Sequence, residues 1–152
     1  MEMKLVERPA FSVMGLKYEG QNEHDEIGQL WGQFNARVKA MPELMGPEAY
    51  GLCTWVDEAT GVFEYVSAYV VKNVDQMPEG FVLRSVHAHR YAVFAHRGPL
   101  DNLRESYNNI YQVWLPQSGL KLHPDKFDME VYDEAFKAGA PDSVMWIYVA
   151  VE

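Results

Sequence analysis

The feature that most constrains the fold is an order of elements that occurs twice along the chain. In the first half, apolar residues recur at spacings of three and four from Ile27 to Val38, which predicts an amphipathic helix. The segments around it are rich in β-forming residues and are separated by turn signals. The first half therefore reads as strand, helix, strand, turn and strand, at residues 10–18, 27–38, 49–56, 57–61 and 62–72.

The second half repeats this order after a polar linker at residues 73–80. One strand or a pair of short strands precedes a helix that opens at Gly98-Pro99, and two further strands follow. These elements lie at residues 81–97, 98–119, 126–132 and 143–151. We therefore predict a single α+β domain over 1–152, with two β-α-β-β half-repeats at about 1–73 and 81–152. In this fold two helices cover one face of an antiparallel sheet. The alternative is one irregular α+β domain without internal symmetry.

Composition excludes several classes of function. The net charge of −9 argues against binding to a phosphate backbone, which requires clustered Lys and Arg. No apolar run approaches the length of a membrane span, and the N-terminal residues lack the apolar core of a signal peptide. The single cysteine, Cys53, allows no disulfide within the chain and is expected to be a buried, inert thiol. These features predict a cytoplasmic protein that does not contact membranes.

An acidic residue in the middle of a strand is the main candidate for chemistry. Alternation along residues 126–132 places Asp128, Glu130 and Tyr132 on one face of the strand. A carboxylate buried there would cost several kcal/mol unless it were paired or protonated, and an incoming cation would offset that cost. The alternative is that this face is the hydrated side of a half-exposed strand.

The other polar candidates are weaker. Glu64 is a second in-strand carboxylate, and a hydrated sheet edge is its expected position. His87 and His89 share one strand face and could bind a metal ion with His96 or His123, but such spacing is a weak signal without a placed third ligand. We therefore predict no metal site and no cofactor.

Several short segments occur in a characteristic order along the chain: Tyr50-Gly51-Leu52-Cys53, Phe63-Glu64-Tyr65, residues 91–99, residues 114–119 and Glu130-Val131-Tyr132. Together they resemble the GyrI-like small-molecule-binding domain, which includes the effector-binding domains of AraC-type and multidrug-responsive regulators. Each is weak alone, and their order and spacing carry the resemblance. It implies a pseudo-twofold pair of β-α-β-β units with a central pocket. It also implies a stand-alone domain without a DNA-reading segment, and so no direct DNA binding.

The resemblance further implies a ligand class and a site. In drug-sensing members, a buried glutamate meets the charge of an aromatic cation and aromatic side chains sandwich its body. Glu130 is similar in position to that glutamate, and we place Trp31, Tyr65, Tyr107 and Tyr132 around it. Core packing is the alternative for each aromatic, and for Trp31 in particular. The implied function is binding of amphipathic, drug-like or dye-like cations, and a homodimer is possible.

Two alternatives stay open. Some relatives in the family hydrolyse strained, electrophilic small molecules. In that case Glu130 would activate water, and Tyr65 or Tyr132 would polarise the leaving oxygen. The founding member acts on gyrase, so a gyrase-interacting module is the weaker alternative. We favour the hypothesis that the chain binds its ligand without catalysis.

Overall fold

The eight strands that the structure describes belong to one antiparallel sheet. The computed structural model describes residues 2–152. In chain order, strands β1 to β8 are Met3–Arg8, Phe11–Gly20, Leu44–Asp57, Val62–Val71, Val82–Val86, His89–Arg97, Phe127–Tyr132 and Val144–Val151. Their order across the sheet is β1-β6-β8-β7-β3-β4-β2-β5. The predicted α+β class is confirmed.

The sheet order is symmetric about the central pair β7 and β3. Moving outward on one side gives β3, β4 and β2, and on the other side β7, β8 and β6. Each set, with the helix that follows its first strand in the chain, forms one β-α-β-β unit as predicted. The limits of the half-repeats, at about 73 and 81, stay a prediction.

The outer strands connect the two units. β1 precedes β2 in the chain but pairs with β6 of the other unit, and β5 precedes β6 but pairs with β2. The segment predicted as one or two strands at 81–97 is therefore two strands. β1 was absent from the prediction because its charged residues, Lys4, Glu7 and Arg8, suit an edge strand and hide its pattern.

The two helices cover separate parts of the same sheet face. Helix α1, Glu26–Arg37, buries Leu30 and Phe34. The second helical segment, residues 100–118, comprises a 3₁₀ turn, α2 (Leu103–Asn109), a π-helical segment (Ile110–Trp114) and a last turn, α3 (Leu115–Ser118). No helix within residues 2–152 is long and apolar enough to cross a membrane.

Each helix has its own apolar cluster, and the strip of sheet between the helices stays uncovered by either. Under α1 the cluster includes Met14, Leu16 and Phe81, and under the second segment it includes Phe94 and Ile147. The strip between them consists of the central strands β3 and β7, so any side chain that points up from these strands faces a gap between the helices.

Phe34 tests the packing of α1 on the sheet. Its side chain is inaccessible to solvent and stacks on Tyr69 with ring centroids 5.6 Å apart. We expect Phe34→Ala to lower the free energy of unfolding by about 3–5 kcal/mol, because it removes apolar contacts and leaves a cavity. Urea denaturation followed by circular dichroism measures this. The control is Met45→Ala at a residue that is 63% exposed, for which a loss comparable to that of Phe34→Ala would contradict the account.

Candidate functional site

A cleft of about 790 Å³ lies between the two helices, above the central strands. Its floor contains Asp128 and Glu130 of β7 and Cys53 of β3. Trp31 of α1 lines one side, and Tyr107 of α2 lines the other. The cleft therefore combines two carboxylates with aromatic walls, which suits an organic ligand that is both apolar and charged.

Glu130 is buried in this cleft and accepts hydrogen bonds from three tyrosines. Only 6% of the residue is exposed. Its Oε1 accepts from the hydroxyls of Tyr65 at 2.6 Å and Tyr132 at 2.8 Å, and its Oε2 accepts from Tyr107 at 2.8 Å. Three donated hydrogen bonds stabilise a negative charge without neutralising it.

The three tyrosines act as neutral donors. Burial, followed by the nearby charge of Glu130, raises the pKa of Tyr65, Tyr107 and Tyr132 well above the ordinary tyrosine value. Each hydroxyl therefore keeps its proton over the whole pH range in which proteins are usually studied. Among residues 2–152, hydroxyl dipoles hold this carboxylate and no ion pair does.

Trp31 extends this network towards the opening of the cleft. Its Nε1–H donates to the Tyr65 hydroxyl at 3.0 Å, and Tyr65 in turn donates to Glu130. The indole also meets the Tyr132 ring edge-on, with centroids 5.4 Å apart. Trp31 therefore belongs both to the core and to the pocket, because its indole packs against Phe34 of the core and also lines the cleft.

A glycine makes the bond between Tyr65 and Glu130 possible. Tyr65 lies in register with Cys53, whereas Glu130 lies in register with Gly51, so the tyrosine must reach diagonally across β3. A Cβ atom at Gly51 would lie 2.0 Å from the Tyr65 hydroxyl and 3.0 Å from Glu130 Oε1. Gly51 was quoted above as part of a family-like phrase, but its role depends on strand pairing that the sequence does not reveal.

Asp128 is a second buried carboxylate in the cleft, with fewer hydrogen bonds than Glu130. Its Oδ2 accepts from the Tyr111 hydroxyl at 2.6 Å, while Oδ1 is buried and has no hydrogen-bond partner among residues 2–152. Burial raises the pKa of Asp128 to about 7, the hydrogen bond from Tyr111 opposes the shift, the charge of Glu130 adds to it, and a weaker hydrogen bond from the Cys53 thiol opposes it. Burial and the nearby carboxylates also raise the pKa of Cys53 well above its ordinary value, so this thiol is unreactive.

The spacing of Tyr107 and Tyr111 along the helix is similar to the spacing of Asp128 and Glu130 along the strand. Tyr107 and Tyr111, four residues apart, are separated by about 6 Å along a helix, and Asp128 and Glu130, two residues apart, by about 7 Å along a strand. The helix can thus place one hydroxyl on each carboxylate. Tyr111 is the second residue of the π-helical segment, and such segments often occur at functional sites.

The structure brings together all five residues predicted around the pocket: Trp31, Tyr65, Tyr107, Glu130 and Tyr132. Glu130 is buried, so the alternative of a hydrated strand face is wrong for this residue. Their roles in ligand binding stay a prediction. The sequence reasoning did not assign Tyr111 or Asp128 to the site. The alternation had placed Asp128 beside Glu130, and the four-residue spacing of Tyr111 from Tyr107 was the signal that could have located it.

Glu64 lies outside this cleft. It forms two hydrogen bonds with Arg84, at 2.7 and 3.1 Å, beside a smaller cleft of about 320 Å³ on the other face of the sheet. Glu64 is therefore ion-paired rather than hydrated at a sheet edge, and the hydrogen bonds from Arg84, together with its positive charge, lower the pKa of Glu64. The two in-strand glutamates do not converge, because alternation directs Glu64 away from Tyr65.

The histidines divide into two groups. His96 has the structural role expected of it, with Nε2 2.9 Å from the Pro99 carbonyl oxygen and Nδ1 2.7 Å from the Ser106 hydroxyl. His89, His123 and Asp125 each offer a metal-ligand atom within 4.8 Å of the others. The Nδ1 of His123 already accepts the backbone N–H of Asp125, so a metal ion bound through that nitrogen would compete with this hydrogen bond. The prediction of no metal stays a prediction.

Comparison with known proteins assigns the chain to a family. The description "GyrI-like small molecule binding domain" matches residues 1–151. This chain belongs to the GyrI-like family. The resemblance seen in the sequence is therefore confirmed, and the cleft between the helices is the central pocket that it implied.

This GyrI-like chain is similar in sequence to a transcriptional regulator and similar in fold to two solved structures. The chain is 37% identical over 153 residues to the transcriptional regulator BrlR of Pseudomonas aeruginosa, covering 99% of this chain and 56% of the regulator. It thus spans about half the length of that relative. The fold matches SAV2435 bound to tetraphenylphosphonium, with a TM-score of 0.77, 16% identity and coverage of 100% and 94%. It also matches the EcmrR C-terminal domain, with a TM-score of 0.74, 20% identity and coverage of 99% and 97%.

Substitution of Gly51 tests the diagonal reach of Tyr65. We expect Gly51→Ala to displace the Tyr65 hydroxyl from Glu130, because the added Cβ would overlap it, and to lower the free energy of unfolding by about 1–3 kcal/mol. The indole N–H resonance of Trp31, which is bonded to Tyr65, reports the displacement in an NMR spectrum. Gly32→Ala in α1 is the control, since nothing lies within 4 Å of its Cβ. An unchanged Trp31 resonance in Gly51→Ala would contradict the geometry.

The raised pKa of Asp128 predicts a pH dependence of stability. Between pH 4 and 7 the folded protein holds the Asp128 proton while the unfolded chain releases it, so this group's contribution to stability falls as pH rises. Relative to Asp128→Asn, the wild type should lose up to about 1.4 kcal/mol of unfolding free energy per pH unit across this window. Urea titrations at several pH values measure this. Asp142→Asn, at an exposed residue, should leave the slope unchanged, and parallel slopes for wild type and Asp128→Asn would refute the shift.

Proposed function

We propose that this chain binds amphipathic aromatic cations in the cleft between its helices, with Glu130 as the anionic partner. The observation that carries the proposal is a buried carboxylate that lacks a positive partner. Of the ion pairs formed within residues 2–152, none involves Glu130 or Asp128. A cationic ligand supplies the missing charge.

The energetics favour a cation over a neutral ligand of the same shape. At an effective dielectric constant of about 20, a positive charge about 5 Å from a carboxylate gains about 3 kcal/mol. A cation over the ring of Trp31 or a tyrosine adds about 0.5–2 kcal/mol. A neutral ligand gains neither of these and still removes water from Glu130, so the site selects for charge. The net charge of −9 adds long-range attraction for cations.

The relatives support this ligand class. SAV2435, whose fold matches this chain, has been solved with the lipophilic cation tetraphenylphosphonium. BrlR is a transcriptional regulator, and this chain corresponds to about half of it. We therefore propose an effector-binding role for the domain, with capture of the ligand as the event that any larger assembly reads. Cytoplasmic location, absence of direct DNA binding and a possible homodimer stay predictions.

The hydrogen-bond directions favour binding over hydrolysis. A hydrolase would need a tyrosine hydroxyl to donate to the leaving oxygen. The hydroxyls of Tyr65 and Tyr132 both donate to Glu130 already, so they would first have to break these bonds. Glu130 itself has most of its acceptor positions filled, which lowers its capacity to draw a proton from water.

Isothermal titration of tetraphenylphosphonium into wild type and Glu130→Gln tests the proposal. We expect the variant to bind at least tenfold more weakly, because glutamine keeps the shape and loses the charge. A tenfold change corresponds to about 1.4 kcal/mol. Triphenylphosphine oxide, a neutral aromatic, should bind weakly to both proteins and show little difference between them.

The matched control is Glu64→Gln, which removes an in-strand carboxylate on the other face of the sheet and should leave the affinity unchanged. Equal binding of tetraphenylphosphonium by wild type and Glu130→Gln would refute the proposed role of Glu130. Turnover of a strained electrophile that is lost in Glu130→Gln would favour the hydrolase alternative.

A further inference from the structure

Asp128 and Glu130 lie on the same face of one strand and line the same cleft, but their surroundings differ. Glu130 accepts three hydroxyl hydrogen bonds. Asp128 accepts one hydroxyl hydrogen bond, from Tyr111, and a weaker one from the Cys53 thiol, while its Oδ1 is buried and has no oxygen or nitrogen donor among residues 2–152. An ionised carboxylate offers about four acceptor positions, so Asp128 has capacity that the protein leaves unused.

The basic side chains of the cleft do not use this capacity. Lys126 lines the cleft, but its Nζ pairs with Glu58 at 2.8 Å. Arg104 also lines the cleft and forms no ion pair with either buried carboxylate within the described part of the chain. Asp128 is 8% exposed, so bulk water does not hydrate it freely either. A buried acceptor of this kind calls for a donor or a positive charge from outside the protein.

The two carboxylates have a defined separation. Residues two apart on the same strand face are about 7 Å from each other. Both carboxylates face a cleft of about 790 Å³, which has room for a rigid ligand of two aromatic rings. The tyrosines of the second helical segment fix this separation, because Tyr107 holds Glu130 and Tyr111 holds Asp128.

We propose that Asp128 forms a second cation subsite, and that the preferred ligands are rigid aromatic dications with positive centres about 7 Å apart. The proposal rests on the function proposed above for Glu130 and adds the number and spacing of the ligand charges. A monocation occupies the Glu130 subsite alone. A dication occupies both and supplies the positive charge that Asp128 lacks.

The subsite depends on pH because Asp128 must be ionised to attract the second charge. The titratable groups that face it are Cys53 on β3, Tyr107 and Tyr111 on the second helical segment, and Glu130 on its own strand. Burial keeps the thiol and both hydroxyls protonated and neutral, which leaves Glu130 as the charged neighbour. Burial also raises the pKa of Asp128 to about 7, so the dication should bind more tightly at pH 8 than at pH 6.

Two compounds of similar shape, one a dication and one a monocation, show the effect of the second positive charge on affinity. Methyl viologen is a bipyridinium dication, and 1-methyl-4-phenylpyridinium has the same two-ring skeleton with a single charge. We expect isothermal titration to give an affinity for the dication at least tenfold above that for the monocation at pH 8, and a smaller ratio at pH 6. In Asp128→Asn the ratio should fall to about one at both pH values while the monocation affinity is retained, which shows that the variant is folded.

The outcomes distinguish the two proposals. Equal affinity of the wild type for both compounds at pH 8, or a preference for the dication that survives in Asp128→Asn, overturns the second subsite and leaves the role of Glu130 standing. Failure of methyl viologen, 1-methyl-4-phenylpyridinium and tetraphenylphosphonium to bind at all overturns the function proposed for Glu130 as well. Asp125→Asn, which removes a half-exposed aspartate outside the floor of the cleft, is the matched control and should keep the wild-type ratio.

Discussion

The site depends on one buried carboxylate that is stabilised by dipoles alone. Glu130 lies on a central strand, and three tyrosine hydroxyls donate to it from β4, from β7 and from the second helical segment. Desolvation of a charge is costly, and three hydrogen bonds offset only part of that cost. Burial of this charge therefore lowers the free energy of unfolding, and we propose that the same buried charge gives the cleft its affinity for cations.

The architecture explains how this group can be both buried and reachable. Each helix is anchored over the apolar cluster of its own β-α-β-β unit, which leaves the seam between the units open. The seam is the β3–β7 pair, where Gly51 of one strand faces Glu130 of the other. The missing side chain at Gly51 lets Tyr65 cross the seam, so a residue from one unit orients the carboxylate of the other.

Much of this structure could be predicted from local patterns. Helical spacing located α1 and the second helical segment, and alternation placed Glu130 and Tyr132 on one face of β7. The family resemblance supplied the pocket, which periodicity alone left undecided between buried and hydrated. What escaped prediction depends on contacts far apart in the chain. The pairing of β1 with β6, the register of Gly51 with Glu130, and the meeting of Tyr111 with Asp128 are set by tertiary packing.

A crystal structure with tetraphenylarsonium would test the central claim most directly, because the anomalous signal of arsenic locates the positive centre independently of any fitted ligand. The account predicts an arsenic peak in the cleft between the helices, with Glu130 as the nearest carboxylate and a phenyl ring against Trp31. A peak in the smaller cleft beside Glu64 and Arg84, with the larger cleft holding no cation, would contradict it.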